Sequence, residues 1–347
     1  RLAWFVSMAQ RVANIMKPFA TGLVVGKFAP LHCGHEKLIN TALAQCEELF
    51  IISYSVPEMP DCEPENRLTW LQVRFPQATI LVLTPELVAR YNLPAIPHND
   101  ADIHRHYVAT LCLQILRCRP HAVFTAEDYG DGFANVLARR FAQPVEHVRM
   151  ARPVGDEAPS GTLIRSDVHR YRYMLANDVY YSFVRRICLL GGESTGKSTL
   201  SKALADGLDT VYVAEFGRDY WEEKNGILTA DDLLHIACEQ VRREQQAEAN
   251  HYLICDTSPL TTLFYALDQY GHAPQELHQL AEREYSLVVL CGAEFPFVQD
   301  GTRQGEVFRA RQQVWYEQEL SRRNIPYLSV SGSLQERLGQ ILHRLPD

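Results

Sequence analysis

Short apolar runs alternate with amphipathic stretches along most of the chain. The first series of runs falls at 22–26, 49–54, 79–83, 121–125 and 145–149, with helical periodicity between them at 34–46, 65–75, 101–117 and 131–141. A second series falls at 187–191, 210–214, 252–256, 286–291 and 326–330, and a long helical pattern covers 231–249. Strand–helix alternation of this kind predicts parallel sheets with helices on both faces. The expected fold class is therefore α/β, built from two doubly wound parallel-sheet domains. No Gly/Ser-rich linker separates the series, so the boundary is placed near residue 184. This gives an N-terminal extension over 1–18, a first domain over 19–183 and a second over 184–347. In the extension, Phe5, Met8, Val12, Ile15 and Met16 share one helical face, which suits a helix docked on the first domain or an unstructured lead-in. The Pro-rich stretch 91–97 is expected to run over the surface near the ligand-binding edge. An irregular stretch, 152–160, leads into a helical segment ending near Arg186.

Composition narrows the picture. With 34 basic and 42 acidic residues the net charge is −8, which excludes a broad basic footprint for nucleic acid. The nine cysteines show no CxxC pair or zinc-type spacing. Such a set reads as reduced thiols in a cytoplasmic protein, with Cys188, Cys255 and Cys291 at strand positions. No apolar stretch approaches the roughly 18 residues of a membrane span, and the apolar run Leu2–Val6 is too short for a signal-peptide core. The chain opens on Arg1 rather than Met, which leaves its natural start undefined. Whether it forms a homo-oligomer is also left open.

Two phosphate-handling patterns stand directly after apolar runs. Gly191-Gly192-Glu193-Ser194-Thr195-Gly196-Lys197-Ser198, followed by Thr199, matches GxxxxGK[ST] after Ile187–Leu190. The glycines let successive backbone N–H groups converge on phosphate oxygens, Lys197 reaches the β and γ phosphates of ATP, and the Ser198 hydroxyl ligates Mg²⁺. Glu215, after the next strand, is a candidate general base for an attacking hydroxyl. Asp256, ending the strand 252–256, is a candidate for the Mg²⁺ shell. Arg303, Arg309 and Arg311 lie among flexible residues near 300 and suggest a lid that closes on the transferring phosphoryl group.

The other pattern is Gly26-Lys27-Phe28-Ala29-Pro30-Leu31-His32-Cys33-Gly34-His35, with Ser160-Gly161-Thr162-Leu163-Ile164-Arg165 further on. A zinc reading of His32 and Cys33 is disfavoured, because Cys33 points away from the histidine pair. The two motifs, in this order, resemble the HxGH nucleotidyltransferase superfamily. That resemblance implies a Rossmann-like domain in which His32 and His35 hydrogen-bond the triphosphate of ATP. It also implies that Ser160 and Thr162 cap a helix and contact phosphate, and that Arg165 binds the β and γ phosphates. An acceptor phosphate is already ionised, so positioning and electrostatics suffice without a protein base.

Together with Asn66-Arg67-Leu68-Thr69-Trp70-Leu71, Thr125-Ala126-Glu127, Glu215-Phe216-Gly217-Arg218-Asp219, Asp256-Thr257 and Asp300-Gly301-Thr302-Arg303, these motifs resemble one family closely. It is the bacterial bifunctional nicotinamide-nucleotide adenylyltransferase and ribosylnicotinamide kinase family (NadR type). The resemblance spans residue 20 to about 335. It implies a P-loop kinase domain that converts nicotinamide riboside and ATP to NMN. It implies a first domain that joins NMN to the adenylyl group of a second ATP, giving NAD and pyrophosphate. NAD or NMN would lie against Gly26, Lys27, Phe28, His32, Arg67, Thr125, Ala126 and Glu127. The chain departs from the family in three places. Fewer than twenty residues precede the first strand, so a helix-turn-helix repressor domain is not expected. Ile96-Pro97-His98-Asn99-Asp100 stands where the family tends to carry tryptophans, and Asp256-Thr257-Ser258 replaces Asp-Thr-Asp. His104 and His106, in the 101–117 helix, read as surface histidines. The alternatives are an NAD- or ATP-sensing protein with kinase activity alone, and a phosphopantetheine adenylyltransferase fused to a dephospho-CoA kinase.

Overall fold

The computed structural model describes residues 17–96, 100–126, 130–151, 158–294 and 305–346. The expected helix over 5–16 lies outside them. The chain divides into two compact units between Ser182 and Phe183.

The first unit runs β1 (Phe19–Gly26), α1 (Cys33–Gln45), β2 (Cys46–Ser53), α2 (Pro64–Arg74), β3 (Thr79–Val82), α3 (Pro85–Arg90), α4 (Ala101–Leu111), β4 (Ala122–Thr125), α5 (Gly130–Phe141) and β5 (Glu146–Arg149). Two short helices follow, α6 (Gly161–Ser166) and α7 (Asn177–Tyr180). The five strands pair in parallel in the order β3-β2-β1-β4-β5, with Leu23 opposite Phe50 on one side and Val123 on the other. Direction reverses at β1, and ligands of such sheets bind beyond the carboxyl end of that strand. A Cβ at Gly22 would stand 2.2 Å from the Cys46 sulfur, so the middle strand tolerates no side chain there. The expected 101–117 helix is shorter as an α-helix. It passes into a π-turn at Cys112–Leu116 and ends on left-handed Arg117. The helical segment expected to end near Arg186 is broken into short turns, and Arg185 already opens the next strand.

The second unit runs β6 (Arg185–Leu190), α8 (Lys197–Gly207), β7 (Val211–Val213), α9 (Phe216–Glu223), α10 (Ala230–Gln246), β8 (Tyr252–Asp256), α11 (Pro259–Tyr270), α12 (Gln275–Leu280), β9 (Leu287–Cys291), α13 (Glu306–Arg322), β10 (Tyr327–Val330) and α14 (Leu334–Leu342). Its parallel order is β10-β9-β6-β8-β7, again with the first strand in the middle. Successive side chains of a strand point to opposite faces, and β6 fills a core on each. Cys188 and Leu190 pack with Ile236, Leu263 and Tyr316 on one face. Ile187 and Leu189 pack with Leu200, Leu204 and Ile341 on the other. Fully burying an aliphatic side chain contributes about 1.5–3 kcal/mol, so coverage on both faces is what makes β6 a firm base for the turn that leaves it.

Candidate functional site

In the first unit the turn after β1 is built from below. Phe28 is buried and takes a left-handed φ of 49°. Arg67, with no exposed surface, donates to the Lys27 carbonyl at 3.3 Å and the Ser53 hydroxyl at 3.2 Å, and grips both Glu58 oxygens at 2.8 Å. The resemblance implied a ligand contact for Arg67. In the structure its two Nη atoms brace the turn through Glu58, Ser53 and the Lys27 carbonyl, while Nε is buried with no partner among the described residues. Burial pulls the Arg67 pKa down and pushes that of Glu58 up, and the ion pair opposes both shifts.

His32 caps α1: its Nδ1 accepts the Gly34 amide at 3.2 Å. An accepting Nδ1 puts the proton of the neutral ring on Nε2. The His35 ring stacks on it with centroids 3.7 Å apart, and the Phe28 edge meets His35 at 5.0 Å. Ser160 caps α6 by accepting the Leu163 amide at 3.2 Å. Arg165 donates to the Ala29 carbonyl and to the Thr162 hydroxyl. A Cβ at Gly161 would lie 3.0 Å from the Ala29 oxygen, so the two distant motifs meet backbone to backbone. Lys27, Thr162 and Arg165 are exposed beside them.

Thr125 ends β4 with its hydroxyl 2.8 Å from His147 Nε2, and His147 Nδ1 lies 2.8 Å from Asp131. The carboxylate can only accept, so Nδ1 carries a proton, and in the neutral ring Nε2 accepts from the Thr125 hydroxyl. Ala126 follows, and Glu127 lies outside the described residues. His104 is not a free surface residue: Tyr54 stacks on it and shares a 2.8 Å hydrogen bond. His106 is about half exposed.

In the second unit the turn after β6 holds Gly191, Ser194 and Gly196 at φ of 147°, 59° and 80°. Such a run aims backbone N–H groups into one concavity. A Cβ at Gly191 would meet the Cys291 carbonyl oxygen at 2.8 Å. Lys197 donates to the Gly191 and Gly192 carbonyls at 2.9 and 3.0 Å, and the Thr195 hydroxyl closes on Gly192 at 2.8 Å. Ser198 and Thr199 are exposed at the start of α8. Three further residues brace the turn, and motif reading missed all of them. Gln313 and Gln312 of α13 accept from the Gly192 and Glu193 amides at 3.0 Å each. Buried Arg337 donates to the Thr195 carbonyl at 2.8 Å. Only folding brings these side chains within reach, and no local spacing announces them.

The expected placement of the three arginines among flexible residues is corrected for two of them. Arg309 and Arg311 stand on α13, not on a flexible loop. Arg309 is buried beside Glu306 at 3.1 Å, and Arg311 pairs with Asp268 at 2.8 Å. Arg303 lies outside the described residues.

Beside the turn opens a pocket of about 150 Å³. Lys197, Glu193, Glu215, Arg218, Gln240 and Thr261 line it together with Trp221, Leu228, Leu233, Ile236 and Tyr265. Glu215 lies 3.7 Å from Arg218. Burial pushes its carboxyl above the usual range, with Lys197 opposing. Asp256 is also pushed up by burial, opposed by Lys197 and by a hydrogen bond from Ser198. Its Oδ1 is buried without a partner among the described residues. An orphaned carboxylate oxygen beside a serine hydroxyl is an all-oxygen donor set that fits Mg²⁺. Among the described residues no group of three or more His, Cys, Asp or Glu is placed to hold a metal by itself. Ser258, where the family carries a second aspartate, caps α11 through the Leu260 amide.

A family model described as an AAA domain matches residues 186–337. The trifunctional NAD biosynthesis/regulator protein NadR of Escherichia coli (strain K12) is 29% identical over 311 residues, covering 81% of this chain and 71% of its own. NadR of Salmonella typhimurium (strain LT2) is 29% identical over 308 residues with the same coverage. A crystal structure of NadR protein in complex with NR superposes with a TM-score of 0.58 at 22% identity, over 89% of this chain and 88% of its own. Another, in complex with NAD and AMP-PNP, gives 0.60 at 19% identity, over 94% and 96%. Most of the chain is therefore similar in sequence to NadR proteins, and it shares the fold of their crystal structures.

Proposed function

We propose that the chain catalyses two consecutive steps of NAD salvage. The second unit phosphorylates nicotinamide riboside to NMN, and the first adenylylates NMN to NAD. The observation that carries this reading is the pocket beside Gly191–Ser198. Its lining includes Glu215, whose carboxyl is pushed up by burial, together with Lys197 and the aromatic side chains of Trp221 and Tyr265. The likeness to NadR over most of the chain supports the choice of acceptor.

In the kinase unit, the 5′-hydroxyl oxygen of the riboside attacks the γ phosphorus of ATP and ADP leaves. Glu215 takes the hydroxyl proton, Lys197 leaves the Gly191 and Gly192 carbonyls for the β and γ oxygens, and Arg218 offsets developing charge. Ser198 and Asp256 would hold Mg²⁺, which supplies Lewis-acid polarisation of the phosphates. The aromatic wall of Trp221 and Tyr265 takes the ring of the acceptor and keeps water from the γ phosphate. In the first unit, a phosphate oxygen of NMN attacks the α phosphorus of ATP and pyrophosphate leaves. His32 donates from Nε2 to the triphosphate, with His35 stacked on it and Arg165 beside the same turn. This reaction needs no protein base.

Chromatography of products from nicotinamide riboside and ATP-Mg²⁺ tests the reading. NAD is the expected product. NMN alone would favour a kinase with a sensing first unit, a reading motivated by the buried Arg67 and by Ile96 in place of an aromatic. Phosphorylation of dephospho-CoA instead would favour the coenzyme A alternative. Lys197→Ala is expected to lower NMN formation by about 10³-fold and leave NMN-to-NAD conversion intact. His35→Ala is expected to do the reverse. A single variant that removes both activities would contradict two separate sites.

A further inference from the structure

One polar side chain in the kinase pocket is tied at one end and unanswered at the other. Gln240 lies on α10 between Ile236, in the pocket wall, and the buried Glu244, and only 2% of its surface is exposed. Its Oε1 accepts the Phe216 amide at 3.1 Å. A backbone N–H can only donate, so this bond settles which end of the side-chain amide is oxygen. The other end, Nε2, is buried with no partner among the described residues. Burying an unpaired amide donor costs about 1–3 kcal/mol, and the bond to Phe216 uses only the oxygen end of the side chain. Phe216 follows Glu215 in the chain, so this bond ties Gln240 to the start of α9, and Gln240 is among the residues that line the pocket.

We infer that Gln240 is a specificity residue of the kinase unit: its Nε2 donates a hydrogen bond to a hydroxyl oxygen on the sugar of the acceptor. The inference rests on the reading of this unit as a riboside kinase. Bound sugar satisfies the buried donor, and a sugar lacking that hydroxyl leaves it unpaired. A site built around a buried donor rejects the analogue that lacks its partner.

The test measures kcat/KM for nicotinamide riboside and its 2′-deoxy and 3′-deoxy analogues, with the full chain and ATP-Mg²⁺. The wild type is expected to disfavour one of the two deoxy analogues by about tenfold or more. Gln240→Glu keeps an oxygen for the Phe216 amide and replaces the donor by an acceptor, and Gln240→Leu removes both. Each variant is expected to lose the riboside preference, with the ratio falling toward one, while the KM for ATP stays unchanged. Two results would overturn the inference while leaving the kinase reading in place. One is a wild type indifferent to both deletions. The other is variants whose kcat/KM falls equally for all acceptors with the ratio preserved, which marks a structural role. A wild type that ignores nicotinamide riboside but phosphorylates adenosine or cytidine overturns the pyridine reading, and the same ratio is then measured on that riboside. Turnover of no riboside overturns both.

Discussion

Single residues account for most of what separates these sites from ordinary sheet edges. Glu215 is pushed above the usual carboxylate range by burial, so it is protonated at a pH where an exposed glutamate is already ionised. A general base must be ionised, so kinase activity is expected to fall as pH drops through this raised value. The acid limb should lie above the ordinary 4.3 or so. In Glu215→Gln that limb should vanish and kcat should drop by about 10²–10⁴. A pH profile that keeps the limb in the variant would assign it to another group. Arg67 shows why residue roles were only partly legible. Its place in the sequence advertised a charged contact, but Glu58, nine positions earlier, claims the guanidinium. Gln240, by contrast, carried no signal at all, since its meaning depends on Phe216 arriving from another helix.

At the scale of elements the sequence was most readable where burial on both faces leaves an unbroken apolar run. The strands expected at 187–191 and 252–256 appear as Arg185–Leu190 and Tyr252–Asp256 for this reason. Helix ends were less readable. Cys46 looked like the last residue of a helix, yet it opens β2, its side chain buried under Gly22. The 300–311 region was read as a flexible lid around three arginines. From Glu306 onward those charges lie on α13, whose polar surface gives a weak helical stripe. On the same helix, Glu319 accepts from Arg322 at 2.6 Å and from Arg323 at 2.7 Å, and its carboxyl is held down at about 2. An acid depressed in the folded state lends stability that is complete above the unfolded value near 4.3 and is lost as pH falls toward 2. Thermal melting between pH 5 and pH 2 should therefore be less steep in Glu319→Gln than in the wild type. Equal slopes would remove Glu319 from the acid response.

At the scale of the whole chain, each unit carries its own sheet, core and glycine-bearing turn after its middle strand. A polypeptide of residues 183–347 is expected to phosphorylate nicotinamide riboside with a KM for ATP within about threefold of the full chain. An insoluble or inactive product would show that the unit depends on the rest of the chain. Both sheets place their first strand in the middle, so Gly22 pairs with Ala122 and Ile187 with Leu287. The carbonyl that crowds Gly191 belongs to Cys291, at the end of β9. A ribosome that has passed Thr199 has already translated the whole glycine-rich signature, but the strand that seats it is still unmade. Nascent chains and truncations ending short of Cys291 therefore carry the letters of a nucleotide site without its shape, and ATP can assist folding of this half only after most of it has been synthesised.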